Sequence, residues 1–329
     1  MKKFIVLLIL IPMIVPGQVI PVGFIKKKSG VPPILSSPST FFTLGLTSTK
    51  IIANISSIGG SAILVSGVCY SQTNQSPTTS DNVTTDGSTT IGTYKSTITG
   101  LTQNTTYYAR PYATNSDGTS YGAAFSFSTY GTVTTATGRV WLDRNLGAIR
   151  VATSVNDASG YGDYFQWGRP ADGHESQWRR NNNSNGFTST QSNTSVPPND
   201  LWISNGSSDW IVSSAVDLTL WSGLTANNPC PSGFRIPTQS EWEAERIKFS
   251  ANNYTGAFNY SLKLTTGGWL SGFSGSGAAY TTKGSNGYYV TQTANSSYGQ
   301  LYFGINNSNV WFDSNLTKSM GLFCRCIQN

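Results

Sequence analysis

The residue types that most often carry acid–base chemistry are gathered in one short string. The single histidine, His174, stands in "ADGHE", two residues after Asp172 and directly before Glu175. A histidine flanked by carboxylates could act as a general base. No serine or cysteine nucleophile is identifiable nearby, so the string favours a structural role. We predict no catalytic residue, no enzyme activity and no cofactor.

Oxygen ligands for a calcium ion would come from the turn carboxylates Asp157 and Asp163. Calcium requires six to eight clustered oxygen ligands, and exposed turn carboxylates are common without an ion. We therefore predict no metal site.

A stretch near the C-terminus has the composition of a recognition surface. Residues 288–324 interleave aromatic rings with Asn, Ser, Gln and Thr, which combines rigid apolar area with adaptable hydrogen-bonding groups. Strand alternation places Leu301 and Phe303 in the core and Tyr302 on the opposite face. The adjacent Trp311 and Phe312 then point opposite ways, so at least one ring is expected to face water.

The alternative is that these aromatics are ordinary core. We predict a ligand-binding face formed by Tyr289, Gln292, Asn295, Tyr298, Gln300, Tyr302, Asn306, Asn307, Trp311, Phe312, Asp313, Asn315, Leu316 and Met320.

The N-terminus has the pattern of a secretory signal peptide at residues 1–17. Lys2 and Lys3 precede an apolar run from Phe4 to Val15, and small residues precede a cut at Gln18. The run is shorter than the ~20 residues that span a bilayer. We expect a secreted or cell-surface protein with no transmembrane segment in the mature chain.

Charge and composition exclude several classes of protein. The 329 residues carry a formal charge of +6, yet five of the 21 basic side chains lie in the first 28 residues. Beyond residue 34 the basic and acidic residues nearly balance, so no basic face for nucleic acid is visible. Only 11% of residues are charged, which excludes a coiled coil or a charged disordered tail.

Composition also divides the chain near residue 130. Residues 18–37 are predicted to be a linker, residues 38–130 contain no tryptophan, and all nine tryptophans lie between 141 and 311. The first module is predicted to be all-β, because turn signals separate short β-rich runs. These runs are Ile51–Ile55, Ser61–Tyr70, Gly92–Ile98, Thr106–Thr114 and Ala123–Thr129.

The first module resembles the fibronectin type III-like modules of secreted Bacteroidetes-type proteins. The resemblance rests on "GVCYS" (67–71), "TTDGS" (84–88), "TGLTQNTTYYARPYATNSDGTSYG" (99–122) and "FSFST" (125–129). Leu101 and Tyr107 have the spacing of the family's tyrosine corner. The resemblance implies a spacer sandwich in which Cys69 is a buried free thiol.

One helix stands out in the second module. Thr238 and Glu241 have capping-box spacing, and Trp242 is expected to anchor the helix to the core. The four cysteines Cys69, Cys230, Cys324 and Cys326 allow three full pairings, and spacing alone does not choose among them.

Residues 131–329 resemble the Fibrobacter succinogenes major paralogous domain, a branch of the C-type-lectin-like and formylglycine-generating-enzyme-like folds. The resemblance is carried by "GRVWLDRNLGAIRVATSVNDASGYGDYFQWGRPADGHE" (138–175), "LWSGLTANNPCPSGFRIPTQSEWEAE" (220–245) and "NNYTGAFNYSLKLTTGGW" (252–269). It implies an α+β C-type-lectin-like domain after the all-β sandwich, with a disulfide between Cys230 and Cys326.

Departures from that family's pattern concentrate in the last 40 residues. "GYYVTQT" (287–293) and the stretch before "RCI" (325–327) differ most. This distribution is similar to that of the variable proteins of diversity-generating retroelements, and it implies a diversified binding segment.

Together these features predict an exported binding or adhesion protein whose ligand is a protein or glycan on another surface. Three alternatives stay open: a structural cell-envelope component, a phage virion decoration, and an enzyme of the formylglycine-generating type with copper held by Cys324 and Cys326.

Overall fold

The computed structural model describes residues 30–175, 186–204, 209–212, 218–271, 279–294 and 299–329. The predicted signal peptide (1–17) and most of the predicted linker (18–37) lie outside these ranges. None of the helices in the described ranges is both long and apolar enough to cross a membrane.

The first module is a sandwich of two antiparallel sheets. The strands are β1 (Ile34–Leu44), β2 (Thr49–Ser57), β3 (Ile63–Ser71), β4 (Asn82–Val83), β5 (Gly92–Ile98), β6 (Thr106–Asn115), β7 (Gly118–Tyr121) and β8 (Phe125–Ser128). One sheet has the strand order β1-β2-β5, and the other has the order β4-β3-β6-β7, with β8 also pairing with β6.

Side-chain alternation explains why these strands form a sandwich. In β5, Tyr94, Ser96 and Ile98 are buried and alternate with exposed residues, as expected when one face of a strand meets a core. The β-rich runs predicted from sequence all coincide with strands. The predicted linker is different, because β1 begins at Ile34 and pairs with β2. Leu35 also packs against buried residues of the sandwich, so this part of the range contributes to the core.

The tyrosine corner is present. The Thr102 amide donates a hydrogen bond to the Tyr107 hydroxyl at 2.9 Å, and Gln72 Nε2 donates to the same oxygen at 2.9 Å. Leu101 and Tyr107 are both buried. The phenol thereby ties the loop before β6 to the sandwich.

The described part of the second module contains three further sheets, two short α-helices and one turn of 3₁₀-helix at Ala158–Gly160. A seven-stranded sheet has the order β16-β15-β20-β17-β18-β19 with β11 on β20, a four-stranded sheet has the order β14-β21-β10-β9, and β12 pairs with β13. The elements are β9 (Thr132–Thr134), β10 (Val140–Leu142), β11 (Tyr164–Gln166), β12 (Phe187–Thr188), β13 (Trp202–Ile203), β14 (Phe234–Arg235), α1 (Gln239–Arg246), α2 (Tyr254–Asn259), β15 (Trp269–Ser271), β16 (Ala279–Thr281), β17 (Gly287–Ala294), β18 (Gly299–Ile305), β19 (Val310–Thr317), β20 (Gly321–Phe323) and β21 (Ile327–Gln328).

Helix α1 begins as its sequence predicts. Thr238 Oγ1 accepts a hydrogen bond from the Glu241 amide, and the Glu241 carboxylate accepts one from the Thr238 amide, which completes a capping box. Trp242 is fully buried and donates a hydrogen bond to the Val290 carbonyl at 3.1 Å. The helix is therefore fixed against β17.

Buried contacts join the two modules without an intervening linker. The Arg144 guanidinium donates to the Thr129 carbonyl at 2.8 Å and lies 4.9 Å from the ring centre of Tyr130. The Gly147 amide donates to the Tyr130 hydroxyl at 2.7 Å. Tyr130 is itself 1% exposed, so the junction is packed like a core.

A disulfide joins Cys230 to Cys326 across 96 positions of sequence, which confirms the pairing implied by the resemblance. The bond ties the loop before β14 to the end of the chain. Cys69 and Cys324 are buried free thiols. Burial raises the pKa of the Cys69 thiol to about 12 and raises that of Cys324 well above its usual value, so both are poor nucleophiles.

Candidate ligand-binding site

The predicted ligand-binding residues lie on β17, β18 and β19, at one edge of the seven-stranded sheet. The register places Gly304 opposite both Tyr288 and Trp311. It places Phe303 opposite both Tyr289 and Phe312. Directly opposed residues point to the same side of a sheet. Trp311 and Phe312 therefore lie on opposite faces, as the sequence predicted.

The face that carries Phe312 belongs to the core beneath helix α1. The Phe303 ring stacks on the Trp242 ring with centroids 4.7 Å apart, and the Phe312 ring lies 5.3 Å from the Phe303 ring. The Tyr289 hydroxyl accepts a hydrogen bond from the Thr265 amide at 2.6 Å. Tyr289, predicted to contact ligand, is fully buried and holds the sheet to its neighbours.

The other face carries an aromatic stack under Trp311. The Tyr288 ring meets the Trp311 ring edge-on at 6.0 Å and an angle of 89°, and the Tyr302 ring lies 5.4 Å from Tyr288. The indole of Trp311 lies over the backbone of Gly304, where a side chain would overlap it. Trp311 is half-buried and packs against the buried cluster of this face. We call this surface the Trp311 face.

The expectation that Tyr302 faces water is wrong, because its side chain is only 3% exposed. Alternation assigned it correctly to the side opposite Phe303, but that side is covered too. Val290, Leu316 and Tyr288 form part of a second buried cluster there. Burial raises the pKa of Tyr302 to about 12, and a hydrogen bond with Trp311 opposes the shift.

The other predicted residues divide by exposure. Gln300 and Leu316 are buried, and Gln300 Nε2 donates to the Thr317 and Met320 carbonyls, which fixes the turn after β19. Asn307 and Asn315 are exposed, whereas Gln292, Asn306, Phe312, Asp313 and Met320 are partly exposed. Leu301, expected in the core, is also partly exposed. Asn295 and Tyr298 lie outside the described residues.

Polar groups lie around the Trp311 face. The Tyr302 hydroxyl donates to Asn315 Oδ1 at 3.0 Å, which orients the Asn315 amide. Asp313 stands directly opposite Tyr302 in the register. On the other side, Asn286 Nδ2 donates to the Tyr288 hydroxyl at 2.8 Å. The structure thus brings together one accessible ring, a carboxylate and two amides.

Sequence reasoning missed Tyr288 and Gly304, the two residues that position Trp311. A signal for Gly304 existed, because a glycine inside a strand often marks the close approach of another group. Tyr288 stood beside Tyr289, and strand alternation alone did not show which of the two supports the accessible face.

The contacts of His174 are those of a structural residue. Its Nδ1 lies 2.6 Å from Asp172 Oδ1, and its Nε2 accepts a hydrogen bond from the Gln166 amide at 3.1 Å. Candidate ligand atoms of Asp172, His174 and Glu175 lie within 4.8 Å of one another. Both ring nitrogens already have partners, however, so neither a proton transfer nor a metal bond is open to them without rearrangement.

The charges around His174 are strongly perturbed by burial. Burial acts to raise the pKa of Asp172, but the nearby His174 and Arg169 outweigh it and hold that pKa at about 2. Burial, reinforced by the charge of Asp163, raises the pKa of Glu175 to about 8. These shifts bear on stability, because His174 and Glu175 are buried.

Comparisons with known proteins give only partial structural similarity. No family model matches the chain, and no curated protein does. The third fibronectin III domain of the human KIAA0343 protein is similar over 31% of this chain and 86% of its own, with 11% identity and a TM-score of 0.24.

Two further solved structures are similar to about the same extent. A computationally redesigned β-sandwich protein matches 30% of this chain and 93% of its own at 24% identity and a TM-score of 0.21. A fibronectin type III domain of the human KIAA0970 protein matches 31% of this chain and 72% of its own at 14% identity and a TM-score of 0.18. We infer no function from these similarities.

Proposed function

We propose that this is an exported binding protein in which a fibronectin type III-like spacer displays a C-type-lectin-like module, and that the Trp311 face of that module binds a glycan. Binding without catalysis is part of the proposal. The observation that carries it is the half-buried indole of Trp311, fixed on Gly304 and Tyr288 beside the hydrogen-bonding groups of Asp313 and Asn315.

A fixed aromatic ring beside polar groups is a general design for binding small polar ligands. The ring supplies apolar contact at low entropic cost, and the polar groups set orientation and specificity. Because the Asn315 oxygen already accepts from Tyr302, the group that this exposed side chain would offer a ligand is its NH₂ donor. The Asp313 carboxylate supplies acceptors. A sugar ring, with an apolar face and peripheral hydroxyls, complements this pattern.

The small accessible apolar area favours a glycan over a protein. A stable protein interface buries roughly 800 Å² on each partner around several aromatic or arginine anchors. Tyr302 is buried and Phe312 lies on the opposite face, which leaves one described anchor on this surface. A protein ligand is therefore the second outcome of the test.

The packed junction at Tyr130 supports the proposal that the first module displays the second. The contacts of Arg144 and Gly147 with Tyr130 hold the second module against the sandwich, so the Trp311 face keeps one orientation relative to the sandwich. The formylglycine-generating alternative needs two thiols for copper. Cys326 is bonded to Cys230, so the pair formed by Cys324 and Cys326 does not exist in this state.

Diversification of the C-terminal segment belongs to the same proposal, and the structure narrows where it could act. Buried Tyr302 and Leu316 support the fold, whereas Asn307, Trp311 and Asn315 have accessible surface. A reverse-transcriptase gene with a template repeat beside the coding gene is expected, and changes should fall on the accessible positions.

The experiment that tests the function is a binding screen with the full exported chain. Wild-type protein and Trp311→Ala are applied to the same array of immobilised oligosaccharides and to a matched panel of cell-surface proteins. Tyr108→Ala, which removes a half-buried ring from the first module, is the control. We expect saccharide binding by wild type and Tyr108→Ala and its loss in Trp311→Ala. Binding to proteins alone would overturn the glycan assignment.

A further inference from the structure

A cleft of about 720 Å³ lies where the two modules meet. One wall is the turn between β1 and β2 with the neighbouring Thr97, and the other is the loop of residues 229–234 with β9. This volume is within the range of ligand-binding clefts in proteins. The cleft includes neither the Trp311 face nor any residue predicted from sequence to bind ligand, although its lining contains the disulfide-bonded Cys230.

The cleft wall mixes polar and apolar side chains and carries little charge. Of the nineteen lining residues that the structure describes, seven carry hydroxyl groups, two are glutamines, and none is acidic. Lys50 is the single charged residue among them. Within the described part of the chain, no carboxylate forms a salt bridge with Lys50. A ligand is therefore offered many hydroxyl and amide partners and one cation.

The strand register directs several of these polar side chains into the cleft. Lys50 stands directly opposite Thr97 on the neighbouring strand, so both side chains point to the same side, and both are exposed. Across the cleft, Thr132 and Thr134 are exposed and alternate with Val133, which packs on the core. Hydroxyl groups thus come from both modules.

The walls are held rigid. The Cys230–Cys326 disulfide fixes the loop of residues 229–234, and Phe234 pairs with Gln328 on the last strand. On the opposite wall, the Tyr130 amide donates to the Gly45 carbonyl at 3.1 Å. A site built on fixed walls loses little entropy when a ligand binds.

We propose that this inter-module cleft is a second binding site, for an oligosaccharide that carries a carboxylate. The hydroxyl and amide side chains hydrogen-bond the sugar hydroxyls, and Lys50 pairs with the carboxylate. The absence of acidic residues from the lining favours an anionic ligand, because like charge on the wall would repel it. The proposal does not depend on the Trp311 face.

The test uses the full chain and tri-galacturonic acid as the probe, measured by titration calorimetry at low ionic strength. The fully methyl-esterified trimer is the neutral counterpart. Lys50→Gln removes the cation, Thr132→Val removes one hydroxyl with little change in shape, and Lys248→Gln removes an exposed charge outside the cleft. Trp311→Ala separates this site from the proposed glycan face.

We expect the acidic trimer to bind at least tenfold more tightly than its ester, and Lys50→Gln to weaken it about tenfold, the effect of losing one charge-assisted hydrogen bond. Thr132→Val should weaken it severalfold, while Lys248→Gln and Trp311→Ala leave it unchanged. Equal affinity for the acid and the ester, or an affinity of Lys50→Gln for the acid equal to that of wild type, overturns the carboxylate assignment. If the acidic trimer does not bind at millimolar concentration, the proposed site is overturned. If only Trp311→Ala abolishes its binding, the ligand binds the Trp311 face and not the cleft.

Discussion

The indole of Trp311 lies against Gly304, its direct partner across the β18–β19 ladder. This contact explains why a large ring on an edge strand keeps one orientation. The absence of a side chain at position 304 lets the ring approach the backbone, and Tyr288 supports its edge. We therefore expect position 304 to set the position of the indole on the proposed binding face.

Gly304→Ala should displace the indole, because a methyl group there would overlap it. We expect a loss of about 1–3 kcal/mol in the free energy of unfolding, typical of overpacking, together with weaker ligand binding. Gly122→Ala is the control, since a methyl group at that position makes ordinary contact at 3.6 Å with Pro111. Urea unfolding and a binding isotherm check both effects. Unchanged stability in Gly304→Ala would show that the ring does not rest on this backbone.

Tyr107→Phe should destabilise the first module by about 1–2 kcal/mol. The change removes the hydroxyl that accepts hydrogen bonds from the Thr102 amide and from Gln72, and it leaves a partly buried donor unsatisfied. Tyr108→Phe, on the half-buried side of the same strand, should cost little. Thermal unfolding of the three proteins side by side measures the difference. Equal melting temperatures would contradict a structural role for the corner.

Removing the Cys230–Cys326 disulfide should cost about 2–5 kcal/mol. The bond closes a loop with a sequence separation of 96, so the unfolded chain gains much freedom without it. The double variant Cys230→Ser with Cys326→Ser tests this by denaturant unfolding. Cys69→Ala, which removes a buried free thiol, is the comparison and should cost about 1 kcal/mol or less. A double variant as stable as wild type would show that the disulfide does not stabilise the fold.

Stability should fall as pH rises from about 5 to about 8 and then level off. Burial raises the pKa of Glu175 from 4.5 to about 8 and that of Asp209 from 3.8 to about 6. A carboxyl with a raised folded-state pKa stabilises the fold fully below its unfolded pKa, and this contribution is lost as pH rises through the folded value. We expect a loss of roughly 4–6 kcal/mol between about pH 5 and about pH 8, since each pH unit over which a carboxyl ionises only in the unfolded chain is worth about 1.4 kcal/mol.

The Glu175→Gln variant tests which group causes this slope. It should keep its stability above neutral pH, because the buried side chain no longer ionises. Glu243→Gln, at a partly exposed position on helix α1, should keep the wild-type slope. Chemical denaturation at several pH values gives the free energies. A wild-type profile that rises toward pH 9 would contradict the assignment.

Local patterns predicted local structure well. The bounds of β5 and the capping box at Thr238 follow from residue types within a few positions of each other. The tyrosine corner could be predicted for the same reason, since Leu101 and Tyr107 are six residues apart. The disulfide was different, because only the resemblance selected Cys230 and Cys326 from three possible pairings.

The burial of Tyr302 could not be predicted from the sequence of its own strand. Alternation tells which residues share a face, but it does not tell whether that face is covered. Here Tyr302 and its cross-strand partner Val290 belong to a buried cluster that also contains Trp167, a residue from a distant part of the chain. The inter-module cleft was missed for a similar reason, since its hydroxyl groups come from segments as far apart as Thr97 and Ser232.

The most direct test of the Trp311 face is a ¹⁹F NMR titration of the full chain labelled with 5-fluorotryptophan. The Trp311 signal is assigned by its absence from Trp311→Phe, and the signal of buried Trp242 serves as an internal control. Titration with an oligosaccharide found in the array should shift the Trp311 signal saturably, with the dissociation constant measured by calorimetry, while the Trp242 signal stays still. Saturable binding that leaves the Trp311 signal unmoved would contradict the proposed binding face.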